Sequence, residues 1–227
     1  MLNKKKFKKL ALEYGADAVG FTTAEELSVR PLYRPALAFE EKSLEKKIKP
    51  RAHFPQARGI LVILKGYKLY ENRLDKGKIK VASSSPRDYH LEVGEILEAL
   101  ILELEKDGIK GLAICDKEGL MDKEIAKRAG LGFIGKNTLL IHPDLGSAHN
   151  IGYILMDAEL VPDKEMAKDC GKCKACILAC PQGAIGDYQL EAKKCLSYIT
   201  QWKEAEYTPL KGCFYGCDIC LRACPYN

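Results

Sequence analysis

The sequence predicts a layered α/β domain, of either the α/β or the α+β type, followed by a small cysteine-rich domain. Up to about residue 160, apolar runs typical of buried strands alternate with helical stripes of apolar residues. Beyond residue 162 the pattern changes to a loop-like segment that carries nine of the ten cysteines. We therefore expect one domain over residues 1–162 and a second over residues 163–227.

Four apolar runs predict the strands of the first domain, over residues 18–21, 59–64, 111–115 and 151–156. The second run is continuously apolar and rich in β-branched residues, which indicates a strand buried on both faces. Two amphipathic helices are predicted, the first over residues 4–14. The second has a stripe formed by Val93, Ile96, Leu97, Leu100 and Leu104.

The charge distribution and the N-terminal sequence indicate the compartment and the kind of partner to expect. The formal net charge is +5, and lysines crowd residues 4–9 and 42–51. Such clusters attract phosphates, although a solvated helix face explains them equally well. Because no apolar run approaches the ~20 residues that span a bilayer, and no secretory signal is visible at the N-terminus, we expect a cytoplasmic protein that does not enter a membrane.

The cysteine spacing is the most specific feature of the sequence. A C-x2-C-x2-C-x3-C-P run is formed by Cys170, Cys173, Cys176 and Cys180, and a second run by Cys217, Cys220 and Cys224. Three thiolates from one short run bind three irons of a cubane, and the cysteine before proline reaches a second cluster. The doubled run predicts two [4Fe-4S] clusters, whereas neither a disulfide framework nor zinc knuckles explain it.

Two such clusters need eight ligands, and the two runs supply seven. The eighth is either Cys195 or Cys213. Spacing slightly favours Cys213, because it almost completes a second copy of the first run. The residues alone leave this choice open.

A glycine-rich stretch at residues 130–135 imitates the G-x-G-x-x-G fingerprint of dinucleotide-binding proteins. That fingerprint should follow a strand and open a helix. Here the stretch follows a predicted helix over residues 122–129, so we do not interpret it as a nicotinamide site.

Several segments together resemble the epoxyqueuosine reductase family. They are R-D-Y-H at 87–90, an aspartate after a strand at Asp116, A-G-L-G-F-I-G-K-N-T at 129–138, C-L-S-Y-I-T at 195–200 and G-C-D-I-C at 216–220. The resemblance covers nearly the whole chain. The cofactor domain of that family is related to the cobalamin-dependent reductive dehalogenases, so the resemblance implies a reductive-dehalogenase-like cobalamin-binding domain joined to a ferredoxin-like domain with two [4Fe-4S] clusters.

The resemblance implies an oxidoreductase that converts epoxyqueuosine to queuosine at the wobble position of transfer RNA. Electrons from an external low-potential donor would pass through the two clusters to the cobalt of cobalamin. Longer members continue into a helical-repeat region that helps to hold tRNA, and this sequence ends at Asn227 before such a region. We therefore expect tRNA binding to depend on the core of the protein and its lysines. We also expect a monomer.

The resemblance also implies the site residues. Cys195 becomes the eighth ligand, so that one cluster takes Cys170, Cys173, Cys176 and Cys224, and the other takes Cys180, Cys195, Cys217 and Cys220. Asp116 matches the catalytic acid, and burial against cofactor and substrate would raise its pKa enough for it to donate a proton. The cobalamin contacts implied are His90, Asp116, Lys136, Asn137, Leu140, Ser197 and Asp218.

Two other functions remain compatible with the sequence. One is an enzyme of the same architecture that reduces a different substrate, such as a small molecule. The other is a ferredoxin-type electron carrier, which has no need of a proton donor such as Asp116.

Overall fold

The structure is a computed structural model that describes residues 2–28, 44–69, 80–84, 88–116, 119–201 and 213–227. Arg87, from the R-D-Y-H segment, lies outside these ranges. For Cys213 the backbone is described but the side chain is not. Every structural statement below concerns the described residues.

A four-stranded antiparallel sheet forms the centre of the first domain, with the strand order β1-β2-β7-β4. All four predicted strands are confirmed, and the antiparallel pairing makes the domain α+β. The strands described along the chain are β1 (Ala18–Thr23), β2 (Gly59–Gly66), β3 (Lys80–Val81), β4 (Gly111–Ile114), β5 (Phe133–Ile134), β6 (Leu140–Ile141), β7 (His149–Met156) and β8 (Cys213–Tyr215).

The long helices begin at short polar residues, as capping requires. The side chain of Asn3 accepts a hydrogen bond from the backbone of Lys6, and that of Asp88 accepts one from His90. A 3₁₀ turn spans Ala192–Lys194. The α-helices are α1 (Lys4–Glu13), α2 (Pro50–His53), α3 (Tyr89–Lys106), α4 (Asp122–Arg128), α5 (Ala175–Ala179), α6 (Leu196–Gln201) and α7 (Ile219–Arg222).

Both faces of the sheet are buried, which explains the continuous apolar run of β2. Successive side chains point to opposite faces of a strand. Ile60, Val62 and Leu64 therefore pack in one core with residues of α4. Leu61 and Ile63 pack in the other core, beneath α1 and the predicted stripe of α3, all five members of which are buried.

The cysteine-rich segment packs against the first domain. β8 pairs with β3 in parallel, and the side chain of Asn227 accepts a hydrogen bond from the backbone N–H of Ser147 at 2.6 Å. Gly146 makes this contact possible, because a Cβ there would lie 1.9 Å from Oδ1 of Asn227. The boundary at residues 162–163 stays a prediction, since Asp163 still hydrogen-bonds with Phe21 of β1.

None of the helices in the described part of the chain combines the length and apolar character that crossing a bilayer would require.

Candidate active site

Four cysteines surround a cavity of about 210 Å³ at the interface between the two domains. Two lie in the loop before α5, one lies in α5, and one lies two residues after the end of α7. The remaining wall includes Lys136, Asn137 and Ile141 of the β5–β6 hairpin. The four cysteines are Cys170, Cys173, Cys176 and Cys224.

A second group of thiols lies around Cys220. Burial and then the proximity of Cys217, Cys195, Cys176 and Cys180 together raise the pKa of the Cys220 thiol to about 12. Burial likewise raises the pKa of Cys176. Thiols that crowd together while burial opposes their ionisation are well suited to metal ligation, which stabilises the thiolate.

The described cysteines of the second domain form two groups, one around the 210 Å³ cavity and one around Cys220. Among the described residues, no three histidine, cysteine or acidic side chains are close enough together to hold a single metal ion. A zinc site requires four ligands about 2.0–2.3 Å from one ion, whereas in a cubane each thiolate binds a different iron.

Two further cavities, of about 410 and 380 Å³, adjoin each other and form a cleft. Tyr89, His149 and Asn150 line both of them. The larger cavity is lined by Asp116, which follows β4, and by Asp122, which begins α4. The smaller reaches the cysteine-rich segment through Ser197, Cys217 and Asp218.

Asp116 has an unusual backbone and a close partner. Its φ of 46° lies in the left-handed region, which is uncommon for residues other than glycine and often marks a functional constraint. Its carboxylate accepts a hydrogen bond from the hydroxyl of Tyr89, and Nε2 of His90 lies 3.8 Å from the same oxygen. Burial, and then the bond to Asp116, raise the pKa of Tyr89. The Asp116 side chain is 59% exposed, so the burial that we expected around it is not provided by the protein alone.

Asp122 is a second carboxyl in the larger cavity. Burial and then the charge of Asp116 raise its pKa to about 7, against the lowering effects of a hydrogen bond with Tyr153 and the charges of Lys123 and Lys47. Nothing in the local sequence indicates this environment, because an aspartate at a helix start is normally a solvated cap.

His149 is a second site residue that the sequence did not indicate. Neither of its ring nitrogens has a hydrogen-bond partner among the described residues, and both are buried. Burial lowers its pKa to about 4, an effect that the nearby Leu140 backbone partly offsets. A neutral imidazole with unpaired nitrogens in the cleft wall fits a site that a polar ligand completes.

The other predicted cofactor contacts are divided among three places. Ser197 and Asp218 line the cleft, but Asp218 is also occupied by hydrogen bonds from Ser83 and Arg222. His90 stacks on Tyr89 beside the cleft, with its ring centroid 4.1 Å away. Lys136 and Asn137 line the cysteine cavity, whereas Asp116 and Asp218 line the cleft. Contact of Lys136 and Asn137 with cobalamin stays a prediction.

The side chain of Leu140 packs in the core. It is 1% exposed and lies between the sheet and α4. The preceding residue, Leu139, lines the cleft, because neighbouring residues of an extended chain point in opposite directions. The predicted contact of Leu140 with cobalamin stays a prediction.

Residues 169–227 match the family model of a 4Fe-4S double cluster binding domain. This match confirms the expectation of two clusters. Together, the sheet domain with its cleft and the two cysteine groups define an iron–sulfur protein with a ligand-binding cleft beside its clusters.

Comparison with known proteins identifies the family. The chain is 31% identical to epoxyqueuosine reductase of Staphylococcus aureus, covering 100% of this chain and 66% of that protein. It is 32% identical to the enzyme of Leadbetterella byssophila, covering 98% and 79% respectively. The chain belongs to the epoxyqueuosine reductase family.

Solved structures agree with this assignment. The epoxyqueuosine reductase of Streptococcus thermophilus superposes with a TM-score of 0.84 at 32% identity, covering 100% of this chain and 66% of that one. An epoxyqueuosine reductase crystallised with an epoxyqueuosine-modified tRNA-Tyr stem loop gives 0.85 at 29%, covering 99% and 65%. The reductive dehalogenase NpRdhA shares the fold, with a TM-score of 0.70 at 19% identity over 99% of this chain and 32% of that one. The chain thus spans about two thirds of the length of most of these relatives.

The protonation of Asp122 can be measured directly. We expect the infrared spectrum to contain a protonated-carboxyl C=O band that disappears as the pH rises through about 7, because burial raises the pKa of Asp122. The band should be absent in Asp122→Asn and retained in Asp144→Asn, which removes an exposed carboxyl. A titrating band that survives in Asp122→Asn would contradict the assignment.

Proposed function

We propose that this protein is an epoxyqueuosine reductase that uses cobalamin and two [4Fe-4S] clusters to convert epoxyqueuosine to queuosine in tRNA. The observation that carries the proposal is the cleft itself. Asp116, with its Tyr89 partner, opens onto one side of the cleft, and Cys217 of the second cysteine group opens onto the other. A proton donor and a source of electrons thus face one space.

The residues of the cleft fit a large polar cofactor. Two adjoining cavities provide the room, and the unpaired ring nitrogens of His149 provide polar atoms that a ligand would satisfy. His149, Asn150, Ser197 and Asp218 are the residues that would hold cobalamin. When bound, cobalamin supplies a cobalt centre that transfers low-potential electrons to a substrate.

The chemistry requires protons as well as electrons. Reduction of an epoxide to an alkene breaks two C–O bonds, forms a C=C bond and releases the oxygen as water, which consumes two electrons and two protons. We assign delivery to the substrate oxygen to Asp116. Asp122 lines the same cavity, and its pKa, raised to about 7, makes it a second proton source near neutral pH, which supports this assignment.

The cysteine groups support the ligand sets that the family resemblance implies. Cys170, Cys173, Cys176 and Cys224 would hold the first cluster, and Cys180, Cys195, Cys217 and Cys220 the second. Cys173 is exposed, whereas Cys217 lines the cleft. This order supports electron entry at the first cluster and delivery to the cleft from the second.

A crystallised relative and one lysine of the cleft support tRNA as the proposed substrate. The crystallised relative binds an epoxyqueuosine-modified stem loop, and here Lys47 lines the larger cavity, where it is placed to attract a phosphate. We further propose a cytoplasmic monomer that receives its electrons from an external low-potential donor.

Anaerobic turnover tests the function. Protein holding both clusters, supplied with a low-potential reductant and epoxyqueuosine-containing tRNA, should form queuosine only when cobalamin is added, as read by nucleoside mass spectrometry. Asp116→Asn should bind cobalamin and keep its iron but lose activity by about 100-fold or more, since it lacks the acid. Absence of product from fully loaded wild-type protein would indicate a reductase with another substrate.

The eighth ligand has its own test. Cys195→Ser should lose one cluster, lowering the iron content from about eight to about four per chain, while Cys213→Ser should retain about eight. Iron analysis after anaerobic reconstitution measures both. The opposite result, loss in Cys213→Ser alone, would give the ligand position to Cys213.

A further inference from the structure

The turn between β5 and β6 forms one wall of the cavity that the first four cysteines surround. Phe133 and Ile141 of this hairpin pack directly with Cys224, and Cys170 joins the same cluster of side chains. The turn is closed by two backbone hydrogen bonds: the N–H of Gly135 donates to the carbonyl of Leu139, and the N–H of Thr138 donates to the carbonyl of Gly135. The hairpin and the cysteine loop therefore form one packed unit.

The conformation of the turn directs Asn137 into this unit. A Cβ at Gly135 would lie 2.8 Å from Oδ1 of Asn137 and 2.5 Å from Cδ1 of Ile141, so a larger residue there would displace both side chains. Thr138 has a φ of 61°, which reverses the chain immediately afterwards. As a result Asn137 is 4% exposed and lines the cysteine cavity.

The two ends of the Asn137 side chain differ in their bonding. Its Oδ1 accepts a hydrogen bond from the backbone N–H of Leu139 at 3.3 Å, which identifies the oxygen end. Its Nδ2 is buried and has no partner among the described residues. A buried donor without an acceptor is costly, and native proteins rarely contain one without a reason.

We propose that Asn137 donates a hydrogen bond from Nδ2 to a sulfur of the first [4Fe-4S] cluster and thereby raises the reduction potential of that cluster. The inference rests on the cluster assignment within the proposed function. The acceptors that line the cavity include the cysteine sulfurs and the carboxylate of Asp169, which already accepts a hydrogen bond from the Gly171 N–H, and a cubane would bring further sulfurs. Hydrogen bonds to cluster sulfurs favour the more negative, reduced state.

Lys136 is placed to assist, but its charge is largely compensated. Its buried side chain lies 3.0 Å from Oδ1 of Asp187 and 5.7 Å from the ring centroid of Tyr188, whose hydroxyl accepts a hydrogen bond from the N–H of Cys170. Because the Asp187 carboxylate offsets the ammonium charge of Lys136, removal of the neutral Asn137 amide should change the reduction potential of the cluster most clearly.

The test is a redox titration of the reconstituted protein followed by electron paramagnetic resonance. Asn137→Asp keeps an oxygen for the Leu139 N–H and loses the donor, and Asn137→Leu removes both groups at similar volume. We expect one of the two cluster potentials to become more negative in both variants, with the larger shift in Asn137→Asp, because it adds negative charge. The other cluster serves as an internal control and should not shift.

Ile134→Val is the matched control variant, since Ile134 lies on the same hairpin but packs in the core beside the sheet. It should leave both potentials unchanged. Unchanged potentials in Asn137 variants that retain full iron would overturn the proposal, and so would an equal shift in Ile134→Val. Neither result depends on a tRNA substrate, so they are distinguishable from failure of the proposed reaction.

If the Asn137 variants lose the cluster, the proposal is tested on the wild-type chain. Protein carrying ¹⁵N only in asparagine side chains should show a ¹⁵N hyperfine coupling to the reduced cluster in pulsed electron paramagnetic resonance. Absence of any such coupling in fully reduced protein would overturn the proposal.

Discussion

The arrangement of the site depends on how the C-terminal residues attach to the sheet domain. Asn227 bonds to Ser147 through both ends of its amide and to the Leu221 carbonyl, and buried Asp218 accepts hydrogen bonds from Ser83 and Arg222. Cys217 and Cys224 are close neighbours of these anchors along the chain. The polar contacts therefore hold one cysteine group against the cleft and the other against the β5–β6 hairpin, so both cysteine groups occupy defined places relative to Asp116.

Much of the fold could be predicted because burial leaves a clear trace in sequence. Residues 59–64 of β2 are continuously apolar because α1 and α3 cover one face of the sheet and α4 with the hairpin covers the other. The stripe of α3 was recognisable by its helical period for the same reason. The antiparallel strand order was not predictable, since it depends on contacts between residues distant in the chain. The separation into two domains was expected, but the pairing of β3 with β8 joins them.

The site was predictable where short-range spacing determines the chemistry and not where packing does. The cysteine runs indicated two clusters because a cubane needs thiolates at set intervals. Lys136 and Asn137 belong to a recognisable motif, yet the turn at Gly135 directs their side chains to the cysteine cavity. Asp122 and His149 could not be recognised, because their pKa values are set by burial among residues from other elements.

If cobalamin binds in the cleft, it should lie beside the second cluster, because Cys217 and Asp218 form part of the cleft wall. Electron paramagnetic resonance of the cobalt(II) form of cobalamin tests this placement, with the cofactor bound stoichiometrically to anaerobic protein whose clusters are oxidised and then reduced. We predict that reducing the clusters broadens the cobalt signal and shortens its relaxation time. A cobalt signal unaffected by cluster reduction would place the bound cofactor far from the cysteine-rich segment and would show that this placement is wrong.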